Sequence, residues 1–194
     1  MDTNGEVKKI GFNQFLTGQF VSRAQYLSNE EYALMLDNAV IAYVNYVLVS
    51  QDKKLTKMLL VKRNMEPCPD WWLPGGRMSP GKSYEETAIE HMKRQLSLSI
   101  DERSRFQYLG TYSFVWAKRG HAPTENGCHI VSAVLVLKVD SREAKAIKLN
   151  EEYSEFSWTR PEIVVIQAGL HLGLAQQIRD LIEFLGITKT DTRR

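Results

Sequence analysis

The sequence predicts an α/β (α+β) chain in which a mixed β-sheet lies between helices. Three observations carry this. Residues 39–49, 58–61 and 129–139 are dense in Val, Ile, Leu and Tyr, and such β-branched and aromatic runs fit strands. Residues 83–97 and 163–185 instead repeat their apolar side chains at three- and four-residue spacing, the helical period. Strand-like and helical segments alternate along the chain without an internal repeat or a low-complexity linker, so sheet and helices packed in layers are the economical solution.

Taken in order, residues 1–25 are weakly periodic and read as an extension containing a short helix. The main domain is expected over 26–187, with a tail over 188–194. Ser28, Asn29, Glu30 and Glu31 make a helix start, because a hydroxyl at the N-cap accepts from free backbone N–H groups and acids suit the positive end of the helix dipole. That helix is predicted through Leu36. The runs 39–49 and 58–61 flank a polar turn at 51–54 and form a hairpin or adjacent strands. Pro67 and Pro69 interrupt the chain before Trp71-Trp72-Leu73-Pro74-Gly75-Gly76-Arg77, which leads through Gly81 into the helix at 83–97. Tyr84, Ala88, Met92 and Leu96 are its inward stripe. Strands at 106–116 and 129–139 follow, joined by the polar loop 117–128. One long helix over 163–185 carries Leu170, Leu174, Ile178, Leu181 and Leu185 and ends at Gly186.

Composition narrows the class. The chain has 194 residues, enough for one domain with a sizeable core, and a formal net charge of +2. That balance favours neither a nucleic-acid-coated protein nor an acidic one. Cys68 and Cys128 are the only cysteines, too few for a disulfide framework or a paired-cysteine zinc site. With no apolar run of the roughly 20 residues a membrane span needs, and no signal-peptide pattern at the start, the expectation is a soluble cytoplasmic protein without membrane partners.

The turn and helix at 71–98 resemble the signature of the Nudix hydrolase family, G-x5-E-x7-R-E-U-x-E-E-x-G-U with U aliphatic. Laid on Gly76, the pattern finds Lys82 at the first Glu, Glu90 at the Arg and His91 at the next Glu. Arg94 and Gln95 replace the following pair of Glu, and Ser97 the closing Gly. The aliphatic positions survive as Met92 and Leu98, and every charged position has changed. The family's glutamates converge from one helix face on a magnesium ion, a hard cation that wants oxygen ligands. Imidazole, guanidinium and amide do not supply them, and the guanidinium stays charged. The box is therefore degenerate, and ordinary Nudix hydrolysis is not expected. Lys82 and Glu90 reverse the polarity of a pair that the family uses to tie loop to helix, so the attraction is expected to persist.

Over about 26–165 the chain is most similar to one branch, the GDP-mannose mannosyl hydrolases. The resemblance rests on 26–32 with Asn38-Ala39, on Lys62-Arg63 and Pro67 ahead of the tryptophans, on His129, and on Asn150-Glu151-Glu152-Tyr153 before Phe156-Ser157-Trp158. It implies a dimer, diphosphate contacts from Arg63 and Arg77, and Gly76, Gln95 and Glu152 as magnesium ligands if any ion binds. The branch's base falls on Tyr153 and a catalytic acid near Asn45, neither of which is a replacement. An unperturbed phenol titrates near ~10 and is protonated at neutral pH. Tyr153 reads as packing near Trp158, and Glu152 as a solvated acid beside Glu151, with a weak metal site as the alternative.

The anion-binding candidates are Arg63, Gly75, Gly76, Arg77, Lys82, His91, Arg94 and Tyr153, holding phosphates directly by guanidinium and ammonium groups. Of Trp71 and Trp72, at least one is expected to be buried, while the other could stack on a base. The small basic loop Lys118-Arg119-Gly120-His121 is expected near the cleft mouth, where it could touch phosphate, and His129 reads as a core or edge histidine. Three function classes remain. The first is a nucleotide or nucleoside-diphosphate-sugar binding protein with a sensor or regulatory role and no cofactor. The second is an active hydrolase of the GDP-mannose type using Mg2+, and the third is an RNA- or protein-binding scaffold. A homodimer is expected, because Phe15, Phe20, Tyr26 and Leu27 otherwise have little to cover.

Overall fold

The computed structural model describes residues 14–52 and 55–187, apart from the side chains of residues 51 and 52. The first part of the predicted extension, the centre of the 51–54 turn and the predicted tail lie outside them. Residues 14–25 contain no helix or strand, so no short helix is found in the described part of the extension. Phe15, Phe20 and Tyr26 are exposed there, whereas Leu27 is partly covered.

Helix α1 (Asn29–Asn38) begins where Ser28 predicts. The Ser28 hydroxyl accepts from the Glu31 N–H (3.2 Å), and the Glu31 carboxylate accepts from the Ser28 N–H (2.8 Å), a reciprocal cap. Strands β1 (Ile41–Asp52) and β2 (Leu55–Arg63) form the antiparallel hairpin, with Val49 opposite Met58. On its other edge β1 runs parallel to β6 (Cys128–Val139), and β6 pairs antiparallel with β5 (Phe106–Trp116). Two short strands, β3 (Trp71–Trp72) and β4 (Gly75–Arg77), join β2 and the first half of β1, while β7 (Tyr153–Thr159) joins β2. The order β3-β2-β1-β6-β5, with β4 on β1 and β7 on β2, is the predicted mixed sheet.

Both faces of the sheet are covered, which is why β1 reads as an almost continuous apolar run. Val44, Tyr46 and Leu48 point to one face and pack with Ala88, Met92 and Leu96 of α2 (Tyr84–Leu96). Val47 and Val49 point to the other, where Leu174, Ile178 and Leu181 of α5 (Leu172–Phe184) lie with Trp72. Each such side chain contributes about 1.5–3 kcal/mol by leaving water. α1 covers a smaller cluster of Leu36, Ile41 and Ile130.

The long helix predicted over 163–185 is instead two. α4 (Pro161–Val164) and α5 are separated by residues 165–171, where Gly169 takes a positive φ of 84° that helices do not tolerate. A short α3 (Ser141–Ala146), capped by Asp140, was not foreseen, nor were β3, β4 and β7 as strands. Among the described residues no helix is long and apolar enough to cross a membrane.

Candidate functional site

The backbone around Gly75 and Gly76 sets the site. A Cβ on Gly75 (φ 147°) would come within 2.2 Å of the Val44 carbonyl oxygen, so only glycine lets β4 lie this close to β1. Buried Asn45 holds the same turn from inside. Its amide donates to the Leu73 and Pro74 carbonyls (both 3.3 Å), and its carbonyl accepts from the Ser132 hydroxyl (2.6 Å). Asn45, where the resemblance would put an acid, is thus a structural clamp. A Cβ on Gly76 would meet the His91 ring at 2.7 Å, which places that imidazole directly on the Gly76 backbone.

Helix α2 enters through a second reciprocal cap: the Ser83 hydroxyl accepts from the Glu86 N–H (3.2 Å), and the Glu86 carboxylate accepts from the Ser83 N–H (2.7 Å). It leaves through Ser97 at φ 53°, so the left-handed exit of the signature persists although its glycine is gone. Lys82 and Glu90 form the expected ion pair, with both side chains well exposed.

Residues 91, 94 and 95 build a network of donors. Gln95 is fully buried, and its amide N–H2 donates to the Gly75 carbonyl (2.8 Å) and to Glu152 Oε2 (2.9 Å), while its oxygen accepts from the Tyr46 hydroxyl (3.1 Å). Arg94 pairs with Glu152 Oε1 through Nη1 and donates to His91 Nδ1 (3.0 Å) through Nη2. His91 Nε2 then carries the proton, donated to the Arg77 carbonyl (3.0 Å). Burial holds the His91 imidazole below its ordinary pKa against the raising effect of that hydrogen bond, and the Arg94 charge acts in the same direction as burial. Glu152 also accepts from the Asn150 side chain (3.3 Å). It is not the solvated acid the sequence suggested, because two residues of α2 reach across to it.

Magnesium requires near-octahedral oxygen donors. Here there is one carboxylate, both of its oxygens already accept from nitrogen donors, and Gln95 turns nitrogen toward Gly75 and Glu152 while Tyr46 holds its oxygen. These residues do not fit the ion. Among the described residues no group of three or more His, Cys, Asp or Glu side chains could hold a metal. Tyr153 is buried in the same core cluster that Trp158 packs against, and burial, with Glu152 next to it, pushes its phenol above the ordinary value. It is no base near neutrality.

Outside this network opens a cleft of about 930 Å³. Of the sequence candidates, Arg63, Gly75, Gly76, Arg77, His91 and Arg94 line it. Tyr153 lies behind, on a small adjoining cavity that shares Tyr43, Arg63, Gly75 and Glu152 with the cleft. Lys82 is not in its wall but lines a separate hollow with Gln14 and Phe15. The cleft holds four cations, Arg63, Arg77, Lys93 and Arg94, against two carboxylates, Glu90 and Glu152. Among the described residues Arg63 and Arg77 form no ion pair. Arg63 makes only a long contact to the Glu66 carbonyl (3.5 Å), and Arg77 rests over the Tyr32 ring (5.0 Å) beside Met35 Sδ (3.9 Å).

Tyr32 and His121 also line the cleft, their rings edge to face at 4.5 Å, and sequence reasoning missed Tyr32, Tyr43 and Lys93 altogether. Nothing local marks Tyr32, since α1 reaches the cleft through tertiary packing. The basic loop is corrected in part. Arg119 is 1% exposed and donates to Asp37 (2.6 Å), Gly127 and His121 carbonyls, so it pins the loop to α1 and offers nothing to phosphate. Lys118 pairs with Glu125 (3.5 Å). Trp72 is the buried tryptophan, packed against Phe114, Trp116 and His171, whereas Trp71 sits under Lys62 on a different cavity. His129, on the inner strand β6, pairs with the Ser113 hydroxyl of the edge strand β5 (2.8 Å).

A helix entering from a Gly-Gly turn, on a mixed sheet covered on both faces, defines a Nudix-type fold. The model of the NUDIX domain matches residues 41–183, and the chain belongs to that family. Among solved structures, the NUDIX domain of Shewanella oneidensis NrtR complexed with ADP ribose is similar at 20% identity and a TM-score of 0.57, covering 82% of this chain and 99% of that one. A C. elegans Ap4A hydrolase in a binary complex is similar at 15% identity and a TM-score of 0.55, covering 76% and 98%. The MutT protein of Methanosarcina mazei Go1 gives 16%, 0.56, 77% and 96%. At these identities the likeness is one of fold. No curated protein matches the chain in sequence.

Proposed function

We propose that the chain binds a nucleotide or a nucleoside-diphosphate sugar of the GDP-mannose kind in this cleft, with little or no ordinary Nudix hydrolysis, and serves as a sensor or regulatory subunit. The observation that carries this is the separation of binding from chemical groups. Arg63 and Arg77 face a cleft large enough for a nucleotide and are not neutralised by carboxylates, while the positions that would activate water are Tyr153, Asn45 and Gln95. A guanidinium fork suits phosphate oxygens and needs no proton transfer. A protonated phenol and two amides cannot take a proton from water at neutral pH. The ADP ribose held by the Shewanella domain and the dinucleotide named for the nematode hydrolase support a nucleotide as the ligand class.

Calorimetric titration with ADP-ribose, GDP-mannose and GDP, alongside chromatographic assay of products, tests the reading. Binding that weakens with salt and is lost in Arg63→Ala or Arg77→Ala is expected. Turnover near the enzymatic median of roughly 10 per second would establish the hydrolase reading instead. No binding to any nucleotide would turn attention to an RNA or protein partner.

A further inference from the structure

We infer that the place of the family's divalent cation is taken by parts of the chain itself, the Arg94 guanidinium and the Gln95 amide, so that the cleft accepts a phosphate anion without a metal. The second half of this inference rests on the nucleotide-binding reading above, but the first half does not. Three oxygens converge below the cleft floor: Glu152 Oε1, Glu152 Oε2 and the Gly75 carbonyl. Each faces an N–H donor from α2, namely Arg94 Nη1, then Gln95 Nε2 at 2.9 Å and at 2.8 Å.

The orientation of Gln95 is fixed by its neighbours. Turned over, it would set its oxygen against two other oxygens and leave the Tyr46 hydroxyl facing N–H2, and both residues are fully buried, where such losses are not repaired by water. Arg94 is equally committed. Its guanidinium is always charged and spans Glu152 and His91, so a divalent ion entering here meets a fixed positive charge where the signature has a carboxylate. The imidazole packed on Gly76 fills the space beside the second glycine.

Compensation from within has a consequence for the ligand. In a carboxylate-lined site the metal cancels the repulsion between acid side chains and phosphate. Here Glu152 is already cancelled, and Arg63, Arg77 and Lys93 leave the cleft positive. A phosphate anion meets no repulsion that a metal would have to remove.

Manganese binding to the free protein, followed by electron paramagnetic resonance, decides the first half without any nucleotide. The wild type should bind no Mn2+ at this cluster. Arg94→Ala with Gln95→Glu supplies a second carboxylate and removes the cation, and should give a bound-Mn2+ signal at least about tenfold above the wild-type background, as carboxylate count sets affinity at such sites. Circular dichroism verifies that the double variant is folded. If it is not, Arg94→Ala alone is the comparison and should bind the ion more tightly than the wild type. Wild-type Mn2+ binding that Glu152→Gln abolishes would overturn the inference, as would a folded double variant with no gain. The second half is read by titrating ADP-ribose into the wild type in excess chelator and again with magnesium. Equal affinity in both is expected, and binding that appears only with magnesium would overturn the inference. If no nucleotide binds in either buffer, the proposed function and this second half both fail, while the Mn2+ result still decides the first.

Discussion

Replacing Gln95 by methionine tests whether the network around it holds the site together. Methionine is near in volume, so the cavity contribution is small and the change is chiefly the loss of hydrogen bonds. Gln95 makes three: from Tyr46, to the Gly75 carbonyl and to the Glu152 carboxylate. Two neutral bonds at about 0.5–1.5 kcal/mol each and one to a charged group at about 1.5–3 kcal/mol suggest a loss of about 2.5–6 kcal/mol. For a chain of this size roughly 2–4 °C accompanies each kcal/mol, so the melting temperature should fall on the order of 10 °C.

The Tyr46 hydroxyl offers the internal control. Burial raises its pKa well above the ordinary value, so it remains the donor, and in Gln95→Met it is left without an acceptor. Tyr46→Phe alone should cost about 1 kcal/mol, and adding it to Gln95→Met should cost less than that or restore some stability. The assay is urea denaturation of the four proteins of the cycle. A loss below about 1 kcal/mol for Gln95→Met, or strictly additive effects, would refute the network, since a buried amide with three good partners cannot be lost so cheaply.

Three further outcomes follow from the same geometry. Lys82→Glu should destabilise by setting two carboxylates together, and Lys82→Glu with Glu90→Arg should recover most of the loss. The coupling should be only about 0.2–1 kcal/mol, because the pair is exposed, and a double-mutant cycle without coupling would show that the residues do not interact. Burial holds the His91 imidazole below its ordinary value of about 6.5, so the unfolded chain binds the proton more readily. Its contribution is therefore complete above about pH 6.5 and is lost as pH falls from there through the folded value, and His91→Gln should flatten the stability–pH curve in that window. Ser97→Gly should raise the melting temperature, since a non-glycine residue at φ 53° carries strain of order 1 kcal/mol, and an unchanged or lower value would show the serine to be better accommodated than its backbone implies.

The parts of the fold that were legible were those with a period or a cap. Tyr84, Ala88, Met92 and Leu96 announced the inner face of α2, and Ser28 the start of α1, because both signals are local. β3 and β4 were not legible as strands, being two and three residues long, too short to show alternation. The break between α4 and α5 was written in Gly169 but was outvoted by the leucine spacing around it. At the site, Lys82 with Glu90 could be read as a pair because a signature fixes both positions. Glu152 could not be matched to Arg94, 58 residues away, or Arg119 to Asp37, 82 away, since pairing at such separations is decided by the sheet and not by neighbours in the chain. An Arg in a polar loop is a surface residue by ordinary expectation, and only the path of loop 117–128 under α1 makes Arg119 one of the most buried side chains.

The division of labour on α2 explains how the box could lose every charged residue of its signature without losing the fold. Ala88, Met92 and Leu96 face the sheet and carry the apolar contacts, so positions 91, 94 and 95 answer mainly to the oxygens opposite them. These three side chains depend on one another. A carboxylate at 95 beside Glu152 would force one acid to keep its proton if no cation were near, whereas arginine at 94 alone would leave a cation beside any metal still held there. Amide at 95 and guanidinium at 94 satisfy the same oxygens together, and neutral His91 fits between Arg94 and the Arg77 carbonyl because it accepts from one and donates to the other. The site is consistent only as a set, and that supports the proposal of an anion cleft over that of a decayed metal centre.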